Sequence, residues 1–431
     1  MRKRWPVLFA AVTTAVLTLL SIGLRRPCLQ GEVTLQLATG TGCYGDLGAM
    51  WSARGLSAHV FPYLTTLPTA GGSPGTVEYP VLLGTLMWLV GLTAHSYAEF
   101  LIASSVLMGA CAIGITLILY RSVGGRTWVW AASPALVLYL SYNYDAAPAL
   151  CALAALALLK GRDPVGVSTQ RLVSAAALLA VGGGLKLYPL LLLGPVCLWL
   201  LRGSPGEGQV PRSTRIKQAA LAIIVGAGGF AAVNLPFAIL NFSGWWEPFR
   251  FQAARAIDSS TMSIWYLIGQ HVPLLSSGRR LMALATLATL VGIVAVMAVG
   301  WLLSKGRSYP LLGTCVGLLT AYVLLNKVFS PQYIIWLLPV MVLYGVSVRW
   351  TLVYVLLDPV LYWSWYLAIF GASVGQTAVG AFWSRIETAA VLARFLLVGA
   401  IGILAVLAGG TRPRAARWLG VEQRDLVNAQ A

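Results

Sequence analysis

The chain of 431 residues predicts an all-α polytopic membrane protein: a bundle of about 12 transmembrane helices with a long first outer loop and an interfacial helix. Three observations carry that prediction. Hydrophobic residues make up 58% of the chain and charged residues 10%, with a mean hydropathy of +0.79, whereas about 25% of the residues in a soluble domain are charged. Apolar windows recur along the whole length, so positions 1–431 read as a single integral membrane domain. Basic residues collect in alternate loops between those windows, the asymmetry described by the positive-inside rule.

The opening MRKRW and the apolar run to Leu24 have the charge and length of a signal peptide. No small-residue cleavage site follows and similar runs come after it, so the run is read as a retained first helix over 7–24. Further spans are expected over 98–120, 127–143, 146–160, 171–187, 190–202, 218–240, 281–303, 310–327, 332–347, 350–371 and 388–409, judged against about 30 Å of hydrocarbon. With the N-terminus inside, the cytoplasmic loops hold Arg2 to Arg4, Arg121, Arg126, Lys160, Arg162, Arg171, Arg202, Arg212, Arg215, Lys217, Lys305, Arg307 and Arg349. Four tail arginines within 410–431 bring these to 19 of the 30 basic residues. Both termini are then cytoplasmic, and the net charge of +17 reflects topology and contact with anionic lipid head groups. Nucleic acid is not an expected partner.

The run Tyr79 to Ala94, YPVLLGTLMWLVGLTA, is apolar enough to cross. A crossing there would invert every later loop and expose the basic segments around Arg162 and Arg215 outside. It is therefore expected to lie along the outer surface, as interfacial helices do. The outer side then gathers two long segments, 25–97 and 241–280, rich in Trp, Tyr and Phe. Long connections in compact proteins are functional or disordered, and the aromatic content argues against disorder. Part of it is an aromatic belt at the membrane interface.

Four of the six cysteines, Cys111, Cys151, Cys197 and Cys315, lie within apolar runs, where a thiol packs as a small hydrophobe. Cys28 and Cys43 lie in the polar first outer segment, and a disulfide and two free thiols are both open for them.

Ionisable residues also concentrate on the expected outer side: Asp46, Arg54, Glu78, Asp145, Lys186, Arg250, Arg255, Asp258, His271 and Lys327. Such groups at membrane depth are functional candidates by default, and each has a structural alternative. Asp46 precedes LGAMWSARGL and is an N-cap or a catalyst. Asp145, after Asn143 and Tyr144, opens an apolar helix and favours capping. Lys186 and Lys327 end spans, where a lysine snorkels to the interface. Asp358 and Arg394 fall inside the last two spans, and an ion pair between them is the simplest way to hold both. No His, Cys and Asp cluster has metal-ligand spacing, no glycine-rich nucleotide loop is present, and no cofactor is expected.

YGDLGAMW in the first outer segment, VEYPVLLG leading the surface helix, SYNYDAAPAL at a helix start, GGGLKLYPLLLL and NKVFSPQYIIWLLP follow one another from about residue 44 to residue 338. Their order resembles that of the polyprenyl-phosphate-sugar-dependent glycosyltransferases of the GT-C superfamily, glycosyltransferase family 87 in particular. Two departures stand out: Val81 follows Pro80 where the family often has a second proline, and 241–280 does not align. The resemblance implies a GT-C-like bundle and an enzyme that moves a sugar, with inversion, from a polyprenyl phosphate to an acceptor hydroxyl on the outer face of the plasma membrane. Mannose is the preferred sugar and arabinose the second.

That reaction needs a carboxylate base near the acceptor hydroxyl, a role given to Asp46. It also needs cations for the phosphate that leaves, a role given to Lys186, Lys327, Arg54 and Arg255. Glu78, Tyr79, Asp145, Tyr188 and Gln332 are expected to orient the substrates. The partners implied are membrane lipids, the polyprenyl-phosphate sugar, and a glycolipid, polysaccharide, protein or secreted metabolite as acceptor. The competing reading is a twelve-span secondary transporter, against which stand the lack of an evident repeat and the siting of ionisable groups at one interface. A noncatalytic scaffold is a third reading, and it leaves the outer carboxylates and lysines without a shared purpose.

Overall fold

A computed structural model describes residues 5–30, 33–65, 77–164, 166–203, 210–273, 278–409 and 413–420. Arg2 to Arg4 and tail residues 410–412 and 421–431 lie outside the described residues, as do positions 66–76 of the first outer segment.

Every regular element among the described residues is helical. In order these are α1 (Trp5–Arg25), α2 (Leu35–Thr41), α3 (Asp46–Ala53), α4 (Val81–Gly91), α5 (Tyr97–Val123), α6 (Trp128–Ala131), α7 (Pro134–Tyr139) and α8 (Ala146–Leu159). Then come α9 (Thr169–Leu185), α10 (Tyr188–Leu191), α11 (Leu193–Arg202), α12 (Arg212–Leu240), α13 (Phe242–Ala254) and α14 (Ile264–His271). The chain ends with α15 (Gly278–Leu303), α16 (Leu311–Leu325), α17 (Ile334–Tyr344), α18 (Val348–Ser373), α19 (Thr377–Gly409) and α20 (Pro413–Leu419). Six stretches among them are long and apolar enough to cross a membrane: Trp5–Leu29, Tyr97–Ala131, Arg212–Leu240, Gly278–Leu303, Val348–Ser373 and Thr377–Ala408. The protein is thus a multi-pass helical membrane protein.

The helices close into a ring. Going round it, α1 packs on α5, α5 on α8, α8 on α9, α9 on α12, and α12 on α11; α11 meets α15 and α16, α16 meets α19, α19 meets α18, and α7 joins α18 back to α1. At the centre stands α17, which touches α5, α7, α8, α16 and α18. Its sequence IIWLLPVMVLY is apolar on every face, and all eleven residues are buried. A helix hydrophobic all round belongs in a core. Small residues let the outer helices approach: a Cβ added at Gly402 of α19 would collide with Thr320 of α16, and one at Gly317 of α16 with Val406 of α19. Close backbone approach of this kind is how helices associate in lipid, where burial of apolar surface supplies little drive.

The two ends of the bundle differ in chemistry. At one end Arg126 donates to Gly345 O, Lys160 to Leu343 O, Arg202 to Ser304 O and Trp350 to Trp418 O. The loops expected to be cytoplasmic therefore meet one another. Asp46, Glu78, Asn143, Lys186, Arg255 and Gln332 gather at the other end.

Four expectations are refined or corrected. The span expected over 127–143 is broken at Ser133-Pro134, because proline supplies no N–H to the preceding turn and the Ser133 hydroxyl accepts the N–H of Ala135 to start α7. The 241–280 segment is mainly helical, holding α13 and α14. At 11 residues, or about 16 Å, α4 is too short to cross the bilayer. Asp358 and Arg394 do not form an ion pair: Arg394 donates to the carbonyls of Met262 and Phe329 and lies over the Phe329 ring, and neither Asp358 oxygen is within normal hydrogen-bond geometry of a donor among the described residues.

Candidate active site

Asp46 is held in place from three directions. Cys28 and Cys43 are joined by a disulfide, which ties the segment before α3 to the end of α1. Arg25, fully buried in the last turn of α1, donates to Gly42 O and Tyr44 O at 2.7 Å each, to the Tyr362 hydroxyl and to Leu138 O. From α18, the Tyr362 hydroxyl donates to Gly42 O and the Tyr366 hydroxyl to Tyr44 O. Gly42 itself ends α2 with φ +66°, where a Cβ would also press on the Trp363 ring. Residues 42–44 are therefore fixed, and Asp46 follows two residues later.

The Asp46 side chain makes no cap; Gly45 is the N-cap of α3 and no side chain serves it. Its Oδ2 instead accepts from Asn143 Nδ2 at 2.7 Å and from Gln332 Nε2 at 3.4 Å. Asn143 Oδ1 accepts the backbone N–H of Tyr144, which fixes the amide so that Nδ2 faces both Asp46 and the Tyr79 hydroxyl, each at 2.7 Å. Asp46 Oδ1 has no hydrogen-bond partner among the described residues. Burial raises the Asp46 pKa above the usual carboxylate value, against the lowering effects of Lys186 and the Asn143 hydrogen bond.

Asp46 lines a cavity of about 340 Å³ together with Glu78, Tyr79, Lys186, Arg255 and Gln332, so six of the ten site residues read from the sequence meet there. Rings of Tyr44, Tyr142, Tyr333, Tyr362, Tyr366, Phe251 and Trp365 complete much of the wall. The other four stand behind or beside it. Asp145 is buried and pairs with Lys186 Nζ at 2.5 Å while accepting from Trp336 Nε1 at 2.7 Å. Its side chain makes no helix cap. Tyr188 stacks on Trp336, which stacks in turn on Tyr333. Arg54 forms an ion pair with Glu78. Lys327 lies off the cavity lining and donates to the carbonyls of Ala253 and Arg255, both at 2.9 Å.

The four cations expected to meet a phosphate thus differ in availability. Lys186, Arg54 and Lys327 each have a partner within the protein. The Arg255 guanidinium has no hydrogen bond or ion pair among the described residues and faces the cavity. Lysine 186 also lies about 5 Å from the Tyr79 and Trp336 ring centres, a cation–π contact on two sides. Burial raises the pKa of Glu78, with Arg54 opposing. Burial lowers that of Lys327, with Arg255 adding to the effect.

The sequence reading missed Arg25, Asn143 and the pair Tyr362 and Tyr366. Arg25 sits beside Arg26 at the end of an apolar run, a position that looks like an ordinary interfacial arginine. Tyr362 and Tyr366 are four residues apart in an apolar helix, so they share one face, and that pattern was a usable signal. Among the described residues no group of three or more His, Cys, Asp or Glu side chains is placed to hold a metal ion.

No known family profile matches the chain. No curated protein matches it either.

Proposed function

We propose that the protein is an inverting glycosyltransferase of the GT-C type, resembling glycosyltransferase family 87, that takes its sugar from a polyprenyl phosphate. In this reading the six long helices and the shorter apolar helices make up about 12 spans, the cavity end faces outward across the plasma membrane, and α4 lies at the outer interface. The observation that carries the reading is Asp46: a carboxylate oriented by Asn143 and Gln332, with Oδ1 unoccupied, in a polar cavity at one end of an apolar bundle.

The acceptor hydroxyl donates its hydrogen bond to Asp46 Oδ1. As its oxygen attacks the anomeric carbon, the proton passes to Asp46 and the bond from that carbon to the phosphate oxygen breaks, its electron pair leaving with the lipid phosphate. The raised Asp46 pKa makes it a stronger base than an exposed aspartate. Arg255 supplies the cation not already engaged, and Lys186, anchored by Asp145, adds a second positive charge to the same wall. Arg54 and Lys327 act one step back: Arg54 sets Glu78, and Lys327 holds the carbonyl of Arg255. Glu78, Tyr79 and Gln332 face the sugar, while Asp145 and Tyr188 support the wall behind Lys186.

The test is label transfer in membranes containing wild type or Asp46→Asn, with polyprenyl-phosphate mannose and polyprenyl-phosphate arabinose supplied separately beside a crude lipid and polymer extract. Transfer from one donor, reduced about 10²- to 10⁴-fold in the variant, is expected for loss of a general base. An Asp46→Asn protein of full activity would overturn the assignment.

A further inference from the structure

A second cavity, of about 370 Å³, lies against the first, and Met262 and Trp365 line both. Its size falls within the range of about 300–1,000 Å³ typical of small-ligand pockets. Its walls come from α14, α18 and α19. A small apolar cluster of Met262, Leu267, Leu361, Ala390 and Val391 makes a firm floor, with Tyr266 and Trp365 packed against it.

The polar groups facing this cavity are unusual for their setting. Glu387 of α19 lines it, is 8% exposed, and has no hydrogen bond or ion pair among the described residues. Gln270 donates to the Tyr266 hydroxyl at 2.7 Å, which leaves the amide oxygen available, and Ser384 and Thr388 stand near Glu387 on the same helix. The Trp365 indole N–H, in the shared wall, also lacks a partner among the described residues. Neither Glu387 oxygen is among the fully buried atoms without a partner, so the carboxyl group opens into the cavity, where hydroxyl groups of a ligand would bond to it. Acceptors, an amide, and ring faces around one small volume fit a polyol ring better than a phosphate, which Glu387 would repel, or an acyl chain, which would leave the polar groups unmet.

The depth of the cavity fits as well. At 33 residues α19 is about 50 Å long, roughly 20 Å more than the hydrocarbon thickness. Its C-terminal part, with Ala405 bonded to Tyr344, belongs to the basic end of the bundle, and its polar residues Ser384, Arg385, Glu387 and Thr388 lie toward its other end. An untilted α19 with its C-terminal end at the basic face would put the cavity at head-group level.

We propose that this cavity is the acceptor subsite and that it binds a hexose unit, whose hydroxyls bond to Glu387 and Gln270 while its ring rests against Tyr266 and Trp365. The acceptor role rests on the glycosyltransferase reading above; hexose binding does not. Met262 and Trp365 form the partition, so a sugar held here lies against the chamber that contains Asp46. Arg394 fixes the backbone of Met262 through its carbonyl, leaving the unbranched Met262 side chain as the part able to yield.

The experiment is equilibrium dialysis of labelled methyl and octyl hexosides against the full chain in nanodiscs, with empty nanodiscs subtracted. Glu387→Gln removes the charge, and Ala381→Phe fills the cavity from an exposed position on α19 that needs no repacking of the core. Both variants are expected to weaken hexoside binding at least tenfold while keeping the wild-type elution profile. Tighter binding of the octyl than of the methyl compound identifies a lipid-borne hexose; equal binding identifies a soluble one. Absence of binding to wild type, or equal binding to wild type and Ala381→Phe, would overturn the site. Binding lost in both variants but no transfer from any donor would leave the hexose site standing and remove the glycosyltransferase reading.

Discussion

On the proposed reading, Asp46 is a carboxylate whose reactivity comes at a cost in stability. Because its folded pKa is raised, mainly by burial, protonation favours the folded state, and that contribution is present below the ordinary aspartate pKa and lost as pH rises through the folded value. Asp46→Asn should therefore show a thermal midpoint in detergent no lower than wild type at neutral pH, although transfer is lost; a marked fall would mean that the carboxylate is structural. Asn143 lowers the Asp46 pKa by its hydrogen bond. Asn143→Ala should accordingly move the acid limb of the pH–rate profile to higher pH, since more of Asp46 stays protonated at a given pH, and an unmoved limb would dissociate the pair. For the cations, Arg255→Met should raise the KM for donor because its guanidinium is unengaged, whereas Lys327→Met should act mainly on stability through the carbonyls of Ala253 and Arg255. The residue types at the cavity were legible in the sequence because charge is rare in this chain. Their partners were not: Arg25 and Asn143 gain their roles from carbonyls and carboxylates distant in sequence.

At the scale of elements, the apolar windows located the long helices well, since a run of uninterrupted hydrophobic residues leaves the backbone little choice but to satisfy its own hydrogen bonds. Boundaries set by polar residues were harder to place. The last long helix begins at Thr377, well before the expected 388, because polar residues such as Arg385 and Glu387 interrupt the apolar count without interrupting the helix. The disulfide is the element-scale device nearest the site, and it closes a separation of 15 residues. A loop of that size constrains the unfolded chain by about 3 kcal/mol in the entropic account. Cys28→Ser with Cys43→Ser should lower the thermal midpoint and, by loosening residues 42–44, lower transfer as well. Reduction of wild type with dithiothreitol should reproduce both effects, and unchanged transfer in reductant would show that Arg25, Tyr362 and Tyr366 are sufficient to hold Asp46.

For the whole molecule, the ring of helices around α17 separates two ends of different chemistry. One end closes with arginine, lysine and tryptophan donors on loop carbonyls; the other opens into two adjoining cavities. Contact with anionic lipid on one side favours the first, and a disulfide favours an oxidising compartment for the second. Both arguments favour the proposed orientation, with the cavities outside, and they are independent of each other. Gln252, exposed at the rim of the first cavity, and Lys305, exposed in the basic end, are the positions to test. On intact cells a membrane-impermeant maleimide should label Gln252→Cys, and it should reach Lys305→Cys only after the membrane is permeabilised, with wild type giving the background from Cys111, Cys151 and Cys197. The reverse pattern would invert the bundle. It would place Asp46 and its cavity in the cytoplasm, where a soluble nucleotide sugar becomes an available donor and the lipid-phosphate donor is no longer required by geography.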